Sequence, residues 1–196
     1  GYCHLPLIMD MQGRKLSKRD GDVEVHAFRK AGYLPEAMLN FIALLGWSPG
    51  QDIEKMTLDE MIQYFSPTRI GKTNAKFDRN KLLAFNTDAA AAAGTERLVA
   101  GFDDYLSLRE SPIPREPGLL AHIIECSRGF RTFEELESKT SVLFAPDDSY
   151  AFDPKAVEKV LHKGDGAGLA VLAELKGELA AVSDWTVAPL HQWPEA

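Results

Sequence analysis

The chain has 196 residues, 45% of them apolar and 26% charged, with a net charge of −7. The apolar share suffices for a core and the length for one large domain or two small ones, while no apolar run approaches the roughly 20 residues that span a bilayer. The acidity excludes a chain-wide basic signal for nucleic acid, but residues 1–81 carry 12 Lys and Arg against 10 Asp and Glu, and the remainder 10 against 19.

In chain order, a short apolar run, His4–Asp10, leads into Gly13-Arg14-Lys15-Leu16-Ser17-Lys18-Arg19-Asp20-Gly21. Four cations and a hydroxyl between two glycines do not suit a buried core. The run reads either as a basic loop that closes over phosphate, using lysine as a compact point charge and arginine as a fork, or as a solvated turn. Asp22 can cap a helix over Val23–Ala31 that Gly32 ends in the left-handed conformation. Pro35 suits a first helical position. Leu34, Met38, Phe41, Ile42 and Leu45 follow it at helical spacing, and Gly46 closes the helix. Trp47 beyond it suits either packing or stacking on a base.

Thr57-Leu58-Asp59-Glu60 is a capping-box pattern ahead of Met61, Ile62, Tyr64 and Phe65. Asp78 can cap a helix holding Lys81, Leu82 and Phe85, and Ala89–Ala93 extends helical sequence. The three prolines of Ser111–Gly118 predict a loop, followed by an apolar helix from about Leu119 to Cys126. Thr132-Phe133-Glu134-Glu135 is a second capping-box pattern, ahead of Leu136 and Val142-Leu143-Phe144. Asp153-Pro154 opens a helix through Val157, Val160 and Leu161. The Leu, Ala and Val steps between Gly168 and Val182 predict an amphipathic helix. No alternation of strands and helices, and no glycine-rich strand-to-helix turn, points to a parallel nucleotide-binding sheet.

Cys3 and Cys126 lie far apart and do not read as a structural disulfide for a reducing compartment. Cys3 beside His4 lacks the paired spacing of a zinc site. His4 and His26 read as packing or surface residues.

Taken together, Lys15-Leu16-Ser17-Lys18-Arg19, the His4–Gly21 stretch around it, the block Gly32-Tyr33-Leu34-Pro35-Glu36-Ala37, the Leu44-Leu45-Gly46-Trp47 end, Asn74–Asp78 and Lys81–Asn86 resemble bacterial-type glutamyl-tRNA synthetases, which are class I aminoacyl-tRNA synthetases. The five-residue run matches the second class I signature, K-M-S-K-S in general and often K-L-S-K-R in this family. Nothing matches the first signature, H-I-G-H. The resemblance therefore implies a piece of a longer enzyme, from the second signature onward. It implies a mainly α fold: the end of a catalytic region over residues 1–21, a stem-contact helical domain over 22–90 and a partial helical anticodon-binding domain over 91–196, without the Rossmann half. Glutaminyl-tRNA synthetases are near relatives with a β-barrel anticodon region, which the helical pattern after residue 118 disfavours.

What the resemblance implies about chemistry is a glutamate–tRNA ligase. ATP and glutamate give an adenylate, and the glutamate then passes to the tRNA for glutamate. ATP is a substrate and Mg²⁺ is expected with it, with no protein-bound metal site in this piece. Lys18 and Lys15 match the signature lysines and are the expected catalytic cations. Lys15, Leu16, Ser17, Lys18 and Arg19 are the expected ATP-binding set, with the Leu16 backbone beside the adenine. Asp20, where relatives often have histidine, is expected to be neutral in effect. Arg69, Lys72, Lys76 and Arg79 form a second basic cluster that reads either as a contact for the tRNA backbone or as a solvated helix face, and Arg128 and Arg131 fall where the family approaches the anticodon arm. The expected setting is a cytoplasmic monomer with no membrane partner. The rival reading is a non-catalytic helical module that binds tRNA or protein.

Overall fold

The computed structural model describes residues 2, 5–17, 23–50, 52–146, 149 and 152–183. Cys3, His4, Lys18, Arg19, Asp20 and Asp22 lie outside these residues. The chain divides into two compact units, residues 1–145 and 146–196.

In the first unit, strand β1 (Ile8–Met9) is followed by helices α1 (Val25–Lys30), α2 (Pro35–Gly46) and α3 (Leu58–Tyr64), a 3₁₀ turn (Pro67–Arg69) and strand β2 (Ala75–Lys76). Helices α4 (Arg79–Ala92), α5 (Thr95–Leu106), α6 (Pro117–Cys126) and α7 (Phe133–Thr140) follow, then a 3₁₀ turn (Ser141–Leu143). The fold is mainly α, and β1–β2 is the single sheet among the described residues.

Local signals set most helix ends. Thr57 forms the full capping box: its hydroxyl accepts from the Glu60 backbone N–H, and the Glu60 carboxylate accepts from the Thr57 N–H at 2.7 Å. Asp78 caps α4 by accepting from the Asn80 and Lys81 N–H groups, and α4 runs through the alanines to Ala92. Pro35 is the first residue of α2. At α7 only half of the expected box forms. Thr132 accepts from the Glu135 N–H, but the Glu135 carboxylate is drawn to Arg131 and Lys139 instead. Helix α1 starts at Val25 with Glu24 at the cap position, two residues later than the pattern suggested. Helix α6 takes in Pro117 and Gly118, which the three-proline run had assigned to the loop; proline at a first helical position needs no N–H.

Helix α2 packs on α4 and α5 packs on α6. One continuous apolar cluster holds Phe28, Leu34 and Phe41 together with Leu82, Phe85, Leu98, Phe102, Leu120, Ile124 and Leu136. Helix α5 was not among the helices read from the sequence, yet Leu98, Phe102, Tyr105 and Leu106 on it are almost fully buried. Two long-range ties join the early helices to α7. The buried Asn86 amide accepts from the Leu34 N–H at 2.7 Å and donates to the Arg131 carbonyl at 2.5 Å. Gly32, left-handed at φ 78°, accepts from the Phe133 N–H at 3.0 Å. The α2 stripe is narrower than its spacing suggested: Leu34, Met38 and Phe41 are buried, while Ile42 is exposed. On α3, Met61 is buried and Ile62 exposed.

Trp47 packs rather than presenting its ring. It is 7% exposed, clusters with Met56 and Met61, and lies 6.0 Å from the Phe65 ring centroid. His26 is exposed on α1. Cys126 is a free, exposed thiol.

In the second unit Asp153 caps a single α turn, α8 (Pro154–Ala156), by accepting from the Lys155 N–H. The chain then widens into a π turn over Val157–Leu161 before α9 (Lys163–Ala181). The one regular helix expected from Asp153 onward is thus split. The expected stripe on α9 does not become a buried face: Leu169, Val171, Leu172 and Leu175 remain exposed. No helix among the described residues is long and apolar enough to cross a membrane.

Candidate functional site

The site is built around a small hairpin. The apolar run Leu7-Ile8-Met9 extends as β1, then turns back through Met11, Gln12 and Gly13. Gly13 is the third residue of this loop at φ 81°, where a three-residue hairpin loop needs the left-handed conformation. The Asp10 N–H donates to the Arg14 carbonyl at 2.8 Å, and the Gly13 N–H to the Asp10 carbonyl at 3.0 Å. The returning arm carries Lys15, bridged to Met9, and Leu16, whose N–H donates to the Ile8 carbonyl at 2.9 Å.

The other edge of β1 takes β2. Ile8 is in parallel register with Ala75 and Met9 with Lys76. The Phe77 N–H donates to the Met9 carbonyl at 2.8 Å, and the Asn74 side chain accepts from the Leu7 N–H at 3.1 Å. Met9 therefore has Lys15 in register on one side and Lys76 on the other. With strands about 4.8 Å apart, the two lysines stand about 10 Å from each other, and residues in register share a face of the pleat. The sequence segments carrying the two basic clusters thus meet on one ribbon, the β1–β2 sheet with the returning arm bridged to the other edge of β1.

Beside the ribbon is a cleft of about 330 Å³ lined by Asp10, Gln12, Arg14, Leu16, Phe77 and Arg79, among others. Leu16 is half-buried and packs against the main core. Lys15 and Ser17 are exposed. Lys18 and Arg19, the rest of the expected ATP-binding set, lie outside the described residues.

The floor of the hairpin is Asp10, one of four buried polar residues among those described. Its Oδ1 accepts from the Arg14 N–H at 2.8 Å and its Oδ2 from Arg14 Nε at 2.7 Å. Burial pushes this carboxyl up, but the Arg14 backbone and side-chain hydrogen bonds and the guanidinium charge more than offset it, leaving it below the usual range. This pair was not singled out in the sequence. An aspartate ahead of a glycine turn, four residues from an arginine, is the signal that was available.

The six basic residues expected to meet tRNA are distributed unevenly. Lys72 and Lys76 are exposed, the first just before β2 and the second on it. Arg79 opens α4 with its guanidinium 5.5 Å from the Phe28 ring centroid and 5.9 Å from that of Phe77. Arg69 donates to the Pro49 carbonyl. Arg128 and Arg131 sit away from the ribbon in sequence and are engaged locally. Arg128 donates to the Ala93 carbonyl and to Thr95 Oγ1, and Arg131 to Glu135. Among the described residues no cluster of three or more His, Cys, Asp or Glu could hold a metal ion.

Residues 1–84 match the family of class I tRNA synthetases (E and Q), catalytic domain. The chain is 36% identical, over 95% of its length, to a glutamate–tRNA ligase of Afipia carboxidovorans, and spans 40% of that protein. Two solved structures are similar to it, each at 26% identity over 92% of this chain and 38% of the other. One is a glutamate–tRNA ligase of Elizabethkingia meningosepticum in complex with its amino acid, at a TM-score of 0.66; the other is a glutamate–tRNA synthetase of Elizabethkingia anophelis, at 0.63. The family match is thus confined to the first 84 residues, and the chain as a whole is similar, over nearly its whole length, to less than half of each of these glutamate–tRNA ligases.

Proposed function

We propose that this chain is the part of a glutamate–tRNA ligase that supplies the signature loop and a share of the tRNA contacts. The observation that carries this reading is the ribbon: Lys15 of the signature is held in register, through Met9, with Lys76 of the second basic cluster. The relatives are ligases, which favours this over a non-catalytic binding module.

The chemistry follows from charge. In the first step a glutamate carboxylate oxygen attacks the α-phosphorus of ATP, and the bond to the bridging oxygen of the departing pyrophosphate breaks. Negative charge grows on the phosphate oxygens and on the leaving group. Cations that meet this charge more strongly in the transition state than in the bound substrate raise the rate, and a loop that closes over the nucleotide brings them there. Lys18 has the main role in this reading and Lys15 assists, with Ser17 and Arg19 as further phosphate donors and Leu16 beside the adenine. The Leu16 N–H is already committed to Ile8, so its contribution to adenine rests on the rest of its backbone.

Mg²⁺ would arrive with ATP. Asp10, five residues before Lys15, has both oxygens committed to Arg14, and Asp78 caps α4. These residues make no metal-binding set, and no step is assigned to one. Lys72, Lys76, Arg79 and Arg69 would neutralise tRNA phosphates beside the ribbon, fixing orientation without reading sequence. Arg128 and Arg131 would do so further along, after giving up part of their local contacts. Residues 22–90 would act as the stem-contact domain and 91–196 as part of the anticodon-binding domain of a cytoplasmic monomer.

The test is ATP–pyrophosphate exchange by the complete enzyme with glutamate and tRNA present. Lys18→Ala should slow it by about two orders of magnitude, the scale for losing one transition-state donor. A variant exchanging at the wild-type rate refutes the role.

A further inference from the structure

We infer that Asp10 is a positioning residue: by clamping Arg14 it fixes the hairpin that sets Lys15 opposite Met9. The inference rests on the ligase reading for its catalytic half and on geometry alone for its structural half.

Asp10 is the last residue before the loop and Arg14 the first after it. The backbone pairs them once, Asp10 N–H to Arg14 carbonyl at 2.8 Å. The Asp10 carboxylate then takes the Arg14 N–H on one oxygen and Nε on the other, at 2.8 and 2.7 Å. The same two residues are thus joined three times around a loop of Met11, Gln12 and Gly13. The asymmetry in exposure is informative. The Asp10 side chain is 10% exposed and that of Arg14 is 69%, so the carboxylate is the fixed end and the arginine folds over it. An exposed ion pair alone would do little; here the acceptor is held from below by burial and from above by a backbone N–H.

The consequence falls on the next residue. Lys15 follows Arg14 directly, and the pairing of Lys15 with Met9 and of the Leu16 N–H with the Ile8 carbonyl continues the ladder that the clamp begins. Without the clamp, three backbone bonds must hold this short hairpin, and short hairpins are marginal on their own. The far edge of β1 stays paired to β2. The loss is therefore confined to the returning arm, which carries the signature.

Asp10→Asn keeps the shape but turns one acceptor into a donor that faces the Arg14 guanidinium. Amide hydrogen exchange on this chain should show the backbone N–H groups of Leu16 and of the substituted residue exchanging about tenfold faster or more, the scale of one charged hydrogen bond. The amides of Leu82 and Phe102 and the melting temperature should be nearly unchanged. In the complete enzyme the same variant should lower kcat for glutamate-dependent ATP–pyrophosphate exchange by about tenfold, since misplacing a group by even a small distance is costly, while KM for glutamate stays near the wild-type value. A merely structural residue would move the melting temperature and leave kcat of the folded fraction alone. Arg14→Ala, which removes the Nε contact and keeps the backbone one, should give a smaller change in the same amides. It also serves as the test if Asp10→Asn fails to fold. Unchanged Leu16 protection in both variants overturns the clamp. Faster exchange of Leu16 with wild-type kcat overturns the positioning role. Wild-type enzyme without glutamate-dependent exchange overturns the ligase reading and the catalytic half of this inference, and leaves the amide comparison to judge the clamp alone.

Discussion

Asn86 offers the sharpest test of how the first unit holds together. The side chain is 1% exposed in the middle of α4 and serves two backbone groups on other elements. Its Oδ1 accepts from the Leu34 N–H at the start of α2, and its Nδ2 donates to the Arg131 carbonyl ahead of α7. Asn86→Ala removes both partners at once. The buried Leu34 N–H left unsatisfied costs about 1–3 kcal/mol, the part-buried Arg131 carbonyl less, and the vacated volume adds a cavity term, so the loss should be about 3–5 kcal/mol. With a urea m-value of about 2 kcal/mol/M, the midpoint should fall by roughly 2 M. Asn86→Asp sharpens the assignment. It keeps an acceptor for Leu34 but sets a second oxygen against the Arg131 carbonyl, so at neutral pH it should be destabilised as well, despite being nearly isosteric. The assay is equilibrium urea unfolding followed by tryptophan fluorescence, because Trp47 is buried in the same unit. A fall of less than about 0.5 kcal/mol in Asn86→Ala, the scatter of ordinary surface changes, would refute the view that Asn86 ties α2, α4 and α7.

Gly32→Ala should cost about 2–4 kcal/mol and lower the melting temperature by roughly 5–15 °C, from left-handed strain and overpacking together. The added methyl would sit 2.6 Å from the Phe133 N and 2.7 Å from the Glu134 N, which are backbone atoms that cannot swing away. A melting temperature within about 2 °C of wild type would show that the α1–α2 turn is not held against α7. Acid should also weaken the α7 end. Lys139 first, then the Arg131 N–H and guanidinium, hold the Glu135 carboxyl down at about 2, from an ordinary value of 4.5. A depressed carboxyl contributes stability that is full above the ordinary value and is lost as pH falls through the window from 4.5 to about 2. Glu135→Gln should therefore flatten the stability–pH curve in that window by about 1 kcal/mol at most, since both cations are well exposed. An unchanged curve would refute the pairing.

What could be read from the sequence was what nearest neighbours decide. Thr57, Asp78 and Pro35 stand at the helix starts they signalled, and Gly32 takes the left-handed conformation, because a cap or turn is settled within three or four residues. The capping half of Thr132 was equally legible. The fate of Glu135 was not, because its carboxylate passes over the Thr132 N–H for the N–H of Arg131 one residue earlier, together with the Arg131 and Lys139 side chains. Exposure was the weaker inference. Ile42 and Ile62 have the spacing of buried residues, but the neighbouring helices do not cover that part of α2 or α3. Helix α5 carried the required period in Leu98, Phe102, Tyr105 and Leu106 and was missed beside the alanine run and the proline-rich loop. Within the site, the signature was legible as a motif and its root was not. That Asp10 would be buried under Arg14 depends on how the hairpin packs, and that Lys76 would share Met9 with Lys15 depends on pairing two segments far apart in the chain.

That root bears on how such a loop could work. A phosphate-closing loop gains from mobility only if it swings from a fixed point, since freedom at the base would spread its cations over many useless positions. The described part of the signature has that fixed base. Leu16 is packed on the core and its N–H is bound to Ile8, while β1 is bound in turn to β2. Two residues after β2, Asp78 caps α4, and eight residues further Asn86 ties α4 to α2 and to the approach to α7. The path from Lys15 to the helical core is therefore a succession of backbone hydrogen bonds, the Asp78 carboxylate cap and one buried amide, each short-ranged and directional. Displacing the base of the loop requires breaking the ladder on one edge of β1 or the other. On this argument the edge that faces Lys15 is the weaker one: it is held by a bridge, a hairpin bond and the Asp10–Arg14 clamp, whereas the other edge continues into α4.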